Sequence, residues 1–221
     1  IFKTNKPRYG LVSRPPRVFP DEMEARLQNL ILLLICSVST LVRIFSVIRY
    51  ESIIHEFDPW FNYRATKFLV NHDFREFWNF FDSESWYPLG RNVGATVYPG
   101  LMVNFCSNTV NFWIYLHPLA QVAIPIDIRN ICVFLAPVFA SFSSIAAYLL
   151  TCEVTKKHGA GLLAALFIGL VPSYMSRSVA GSYDNEGVAI FALIFTFYVF
   201  IKACNTGSIL WSVGSALAYF Y

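Results

Sequence analysis

The residues best suited to chemistry fall in two short acidic motifs. One is His55-Glu56-Phe57-Asp58-Pro59-Trp60-Phe61-Asn62-Tyr63-Arg64, directly after the first apolar segment, and the other is Gly181-Ser182-Tyr183-Asp184-Asn185-Glu186-Gly187, at the mouth of a later one. A carboxylate beside a bilayer is costly to desolvate and needs a partner, and a divalent cation is one that several carboxylates can share. Asp184 and Glu186 stand one residue apart, so in an extended segment both point to one side and reach a single hard cation. Without a cation their charges would repel and raise one pKa. This chemistry points to a membrane enzyme that handles a charged lipid substrate.

Each acid also has a plain structural use. Asp58 followed by Pro59 suits the start of a surface helix, since Asp caps well and Pro fits the first helical position. Asp184 stands two residues before an apolar run and serves equally as an N-cap, with Glu186 a favourable charge on the helix dipole. Arg177 is the nearest base in the second loop, open to three uses: an interfacial anchor, a partner for the acids or a contact for phosphate. What separates the first motif from a simple helix start is its density of polar and aromatic groups immediately after a membrane exit. An aromatic belt accounts for the rings but not for the paired carboxylates.

The elements that must position these motifs are membrane spans. The 221 residues are 56% hydrophobic and 14% charged, with a mean hydropathy of +0.49. A soluble domain carries about 25% charged residues, so the deficit marks an integral membrane protein, and the long apolar runs make it an all-α, polytopic transmembrane helix bundle. Spans are expected at about 27–48, 131–151, 159–176, 187–203 and 209–221. The first, from Leu27 to Ile48, has Arg43 as its one charge, placed near the helix end where it is expected to snorkel. Too long and too late for a cleaved leader, it reads as a signal anchor.

Orientation follows from charge. Residues 1–26 hold six Lys or Arg against three acids, and Thr155-Lys156-Lys157-His158 forms a compact basic loop. Both therefore face the cytosol. This alternation holds only if Gly94–Leu116 does not cross, and its Asn104, Asn108 and Asn111, at helical spacing, suit an interfacial helix or one tucked against the bundle, the alternative being a true span with the Asn stripe facing protein. The first far-side loop then runs over about 49–129 and the second over about 177–186, so both acidic motifs share one compartment, the endoplasmic reticulum lumen or a bacterial periplasm. The uninterrupted apolar stretch Gly187–Ile201 is 15 residues, about 22 Å as a helix, which is short of a hydrocarbon core and draws Asp184 and Glu186 towards headgroup depth. Cys36, Cys106, Cys132, Cys152 and Cys204 show no CxxC or zinc spacing and read as free thiols. A start at Ile1 and an end inside an apolar run lead to the expectation of the first part of a longer protein.

At these residues the chain resembles a known family. The His55–Arg64 motif, Trp86-Tyr87-Pro88-Leu89-Gly90-Arg91, Ile126-Asp127-Ile128-Arg129-Asn130 and the run from Ser176 to Gly187 look like the catalytic subunit of eukaryotic oligosaccharyltransferase, a membrane protein of the C-type glycosyltransferase kind. The resemblance covers about residues 27–221. Gly94-Ala95-Thr96 and Phe81-Asp82-Ser83-Glu84-Ser85-Trp86 depart from the family pattern without touching the acidic motifs, and the family's Trp-Trp-Asp-Tyr-Gly motif is not among these residues. The resemblance implies transfer of a preassembled oligosaccharide from dolichyl pyrophosphate to the Asn of Asn-x-Ser/Thr in a nascent chain, at the lumenal face of the endoplasmic reticulum membrane. It implies Mn²⁺ or Mg²⁺ held by Asp58, Asp184 and Glu186, with Asp58 also touching the acceptor amide and Arg177 supporting the acids. Other oligosaccharyltransferase subunits and the translocon are the implied partners. A transferase using a dolichyl-phosphate monosaccharide and a transporter with an ion site on that face are the competing classes, and a transporter predicts ionisable residues deep within several spans.

Overall fold

The computed structural model describes residues 21–72, 74–94, 96–98, 102 and 127–221. In chain order the elements are helix α1 (Asp21–Tyr50), α2 (Phe57–Asn71), α3 (Phe74–Trp78), strands β1 (Phe81–Asp82) and β2 (Arg91–Asn92), then helices α4 (Ile128–Thr155), α5 (His158–Leu170), α6 (Pro172–Ser176), α7 (Asn185–Thr206) and α8 (Ile209–Phe220). The two strands form a short antiparallel hairpin with Phe81 opposite Asn92. Among the described residues the architecture is all-helical apart from that hairpin. The segment expected to lie in the interface, Gly94–Leu116 with its Asn104, Asn108 and Asn111, falls almost wholly outside the described residues.

Three helices, Glu22–Tyr50 within α1, α4 and α7, are long and apolar enough to cross a membrane, and α5 and α8 are shorter apolar helices. Helix α4 lies at the centre, packed on α1, α5 and α7, and α8 leans on α7. Lipid tails are as apolar as leucine, so close packing and polar contacts hold such helices together. The contact surface of α4 carries the small residues this requires, Ala136, Ala140, Ser143, Ser144 and Ala146, all buried.

Two proline breaks shape the bundle. Pro137 sits inside α4, where it has no N–H to give to the Val133 carbonyl. Pro172 ends α5, so the single apolar segment 159–176 read from the sequence is in fact a 13-residue helix, a turn at Val171 and the five-residue α6. Backbone groups freed at membrane depth must find partners in the protein: the carbonyl opened by Pro137 finds its donor in the second acidic loop, and the Gly169 carbonyl at the end of α5 finds donors in Arg43 and Ser39 of α1.

Two further expectations change. Helix α7 runs to 22 residues, about 33 Å, because polar residues at both ends continue the helix beyond the apolar stretch. It is long enough to span, with Asp184 at its cap and Glu186 in its first turn. Arg43 does not snorkel: it is 0% exposed and enclosed by α1, α5 and the loop after α6.

The opposite end of the bundle is basic and cross-linked. Glu153 of α4 pairs with Lys156 and with Lys202 of α7 (3.2 Å) and accepts from Asn205 (2.9 Å). Lys202 also lies over the Tyr198 and Trp211 rings, so protein contacts hold it.

Candidate active site at the mouth of the bundle

Helix α2 presents one buried face made by Pro59, Asn62, Ala65, Thr66 and Leu69, at the three- and four-residue spacing of a helical stripe. The helix begins at Phe57, so Asp58 is in its first turn and is not its N-cap. That place falls to Glu56, whose φ of 67° is strained for a residue with a side chain. Asp58 is exposed, and it lies one helical turn before the buried Asn62 on adjoining faces of α2.

Asn62 joins the two motifs. Its side-chain Nδ2 donates to the Tyr183 carbonyl (3.2 Å) and to Asp184 Oδ1 (3.3 Å), across 122 residues of sequence. Next to it, Thr66 Oγ1 and the Tyr183 hydroxyl share a 2.7 Å hydrogen bond, and burial drives the Tyr183 phenol well above its ordinary pKa. The Tyr183 ring belongs to a core that gathers Ala65 and Leu69 of α2, Cys132 and Phe139 of α4 and Val188 of α7. The first motif is thereby docked on the second by both polar and apolar contacts.

Backbone bonds complete the junction. The N–H of His55 donates to the Gly181 carbonyl (3.0 Å), and the N–H of Gly181 donates to the Val133 carbonyl (3.1 Å), the one that Pro137 leaves open. Gly181 has φ +100°, and a Cβ there would stand 2.4 Å from the Ile53 carbonyl oxygen. No other residue type fits that position without displacing the strand of chain that leads into the first motif.

Asp184 is the N-cap of α7, and its Oδ1 accepts from Asn185 N–H (2.7 Å) as well as from Asn62. Glu186 is in the first turn, partly exposed, with Arg177 Nε 3.4 Å from its Oε2. Of the three uses open to Arg177, the structure displays the pairing with an acid. Between the two acids, Asn185 Oδ1 is buried without a hydrogen-bond partner.

Arg64, though inside the first motif, turns away from these acids. It clamps the hairpin through Asp82 (2.7 Å) and Glu84 (2.7 Å). Asp82 is 3% exposed. Burial alone would raise its pKa, but hydrogen bonds from Ser85 and the Glu84 N–H and the Arg64 guanidinium outweigh that and hold it below the usual carboxylate range.

The donor set suits a hard cation: two carboxylates and a buried amide oxygen without a partner, all oxygens, lie in three consecutive residues. Among the described residues, however, no three His, Cys, Asp or Glu side chains come together as a metal-holding group, so Asp58 is not gathered with Asp184 and Glu186. The sequence reading missed Asn62, Tyr183 and Arg43 as working parts. Asn62 carried a signal, since it follows Asp58 by four residues on a helix. Arg43 carried none beyond its place in an apolar helix, and Tyr183 none beyond its place in the second acidic motif.

Fold and site together define a multi-pass membrane protein in which two polar motifs, distant in sequence, close over one end of the helix bundle. Residues 27–221 match the family described as oligosaccharyl transferase STT3, N-terminal, and the chain belongs to that family. It is 53% identical over 209 residues to the dolichyl-diphosphooligosaccharide–protein glycosyltransferase subunit STT3B of Oryza sativa subsp. japonica, covering 94% of this chain and 28% of that protein. The STT3A subunit of the same plant is 55% identical over 190 residues, 86% of this chain and 23% of the relative. The stt-3 subunit of Caenorhabditis elegans is 57% identical over 179 residues, 81% and 23% respectively. The chain thus spans about a quarter of the length of these curated relatives.

Proposed function

We propose that this chain is the N-terminal membrane part of a glycosyltransferase that moves a preassembled oligosaccharide from dolichyl pyrophosphate to the Asn of Asn-x-Ser/Thr in nascent proteins. The observation that carries the reading is the Asn62–Asp184 contact, which puts the two acidic motifs of the family resemblance side by side at one mouth of the bundle. Its setting is the endoplasmic reticulum membrane, with the site on the lumenal face and with other oligosaccharyltransferase subunits and the translocon as neighbours.

In the transfer, the acceptor amide nitrogen forms a bond to the anomeric carbon of the first sugar. The bond from that carbon to the pyrophosphate oxygen breaks, its electron pair leaves with the pyrophosphate, and one amide proton is lost to base. An amide nitrogen is a weak nucleophile because its lone pair is conjugated. Asp58, exposed at the start of α2, accepts a hydrogen bond from the acceptor N–H and so orients and polarises it. Asp184 and Glu186, with Asp58 brought to them, are the residues that would hold Mn²⁺ or Mg²⁺, which when bound neutralises charge on the pyrophosphate. Asn62 keeps Asp184 in place, and Arg177 screens Glu186 until a phosphate competes for the guanidinium.

The test uses the full-length protein in detergent or nanodiscs, with dolichyl-pyrophosphate oligosaccharide and a fluorescent Asn-x-Thr peptide. Glycopeptide is expected from this peptide and not from its Gln-x-Thr counterpart. Absence of product from the wild-type protein with the Asn peptide overturns the proposal.

A further inference from the structure

Arg43 is a charged residue in the apolar helix α1, and nothing in its sequence context gives it a task. It is 0% exposed, and among the described residues no carboxylate lies within ion-pair reach of it. A buried, unpaired guanidinium costs several kcal/mol unless the protein replaces its hydration. Here the replacement is specific on two of the three nitrogens, and Nη2 is buried without a hydrogen-bond partner among the described residues. Nη1 donates to the Gly169 carbonyl (2.7 Å), the Ser39 carbonyl (2.9 Å) and Ser39 Oγ (2.9 Å), Nε donates to Ser178 Oγ (2.7 Å), and the group lies 5.1 Å from the Tyr174 ring centre. The Gly169 carbonyl is available because Pro172 ends α5 there. It stands at the negative end of that helix, which supplies the counter-charge that no acid does.

The same residue reaches the second acidic loop twice. Its side chain holds Ser178, and its own carbonyl accepts from the Ala180 N–H (3.0 Å). One turn on, Ser46 Oγ donates to the Ala180 carbonyl (2.6 Å). The chain at 178–180 is therefore gripped by α1 four to six residues before Asp184. A guanidinium serves Ser178 on its Nε side and Gly169 with Ser39 on its Nη1 side at once, a fork that a lysine ammonium cannot reproduce.

We infer that Arg43 is a positioning residue for the second acidic motif: by tying the α5–α6 break and Ser178 to α1, it fixes where Asp184 and Glu186 stand against α2. The inference rests on the transferase reading for its kinetic consequence and on the geometry alone for its structural one.

The test compares Arg43→Lys, Ser178→Ala and Ser144→Ala in the full-length protein. Ser144 is a buried serine of the same bundle whose hydroxyl bonds within its own helix, to Ala140, so it controls for loss of a buried polar contact. Backbone hydrogen exchange at Ala180 and Gly181 is expected to quicken about tenfold or more in Arg43→Lys, with α4 and α7 protected as in wild type. The kcat for glycopeptide formation is expected to fall by about tenfold to a hundredfold, with the acceptor KM within about twofold. Ser178→Ala, the milder change should Arg43→Lys fail to fold, moves the same readouts in the same direction, and Ser144→Ala moves neither. Unchanged exchange at 180–181, uniform quickening throughout the bundle, or a local loosening with kcat intact each overturn the inference. A wild-type protein without transfer activity defeats the function reading instead, and the exchange comparison, which needs no turnover, still decides whether Arg43 holds the loop.

Discussion

Asp184 does two things at once: it caps α7 and it receives Asn62 from the other motif. Both hydrogen bonds fall on Oδ1. Asp184→Ala in the full-length protein is expected to lower transfer by about a hundredfold or more, and to cost about 1 kcal/mol of stability as a lost cap. Rate at equal folded protein, with a detergent melt alongside, checks both. Asn62→Ala leaves the Tyr183 carbonyl without its side-chain donor and frees Asp184 to move. It is expected to cost about 1–2 kcal/mol and to slow transfer less than Asp184→Ala does. Equal losses for the two variants would mean that Asn62 itself touches substrate. Asp82 provides a pH signature away from the site. Its carboxyl is held below the ordinary value by Ser85, the Glu84 N–H and Arg64, so its stabilisation is complete above the unfolded carboxyl pKa, about 4. The stabilisation is lost as pH falls from there through the depressed folded value. The hairpin is expected to loosen below about pH 4 in wild type, read by proteolysis or quenched exchange, and Asp82→Asn should already be loose at neutral pH.

At the scale of elements, prolines and a glycine determine where the second acidic loop can attach. Pro137 opens the Val133 carbonyl, Gly181 N–H takes it, and the positive φ of Gly181 lets the chain turn between Ile53 and His55. Gly181→Ala puts a Cβ 2.4 Å from the Ile53 carbonyl oxygen and adds left-handed strain, so the two motifs must separate. A loss of about 2 kcal/mol or more and a fall in transfer beyond what the stability loss explains are expected, from melting and from rate per folded molecule. A variant with wild-type melting and rate would show that the junction is not fixed through this glycine. Helix α7 argues the same way about limits of pattern reading. Its apolar stretch is too short to span, yet the helix is not, because Asn185 and Glu186 at one end and Lys202 to Thr206 at the other continue its hydrogen-bond ladder.

For the whole molecule, the two ends of the bundle differ in kind. One gathers the acidic motifs, and the other ties Glu153 to Lys156, Lys202 and Asn205. A charge asymmetry of this sort orients a membrane protein with its basic end in the cytosol. Single cysteines introduced at positions 80 and 157 of a cysteine-free protein in sealed microsomes are expected to label from opposite sides with an impermeant maleimide. Labelling of both from one side would sink the orientation and with it the lumenal placement of the site.

The helical class, the membrane setting, the family and the residues of the two acidic motifs were all legible in the sequence, because apolar run length and a dense polar motif are local properties that survive without knowledge of the fold. The polar junction was not. Asn62 meets Asp184 across 122 residues, Tyr183 meets Thr66 across 117, and Arg43 reaches Ser178 across 135, distances over which pattern carries no register. Arg43 shows the difference most plainly. Its position near the end of an apolar run suggested a side chain escaping to water, whereas the break at Pro172 offers it a helix end and a loop inside the protein. Burial of a charge depends on what stands opposite, and only the tertiary structure decides that.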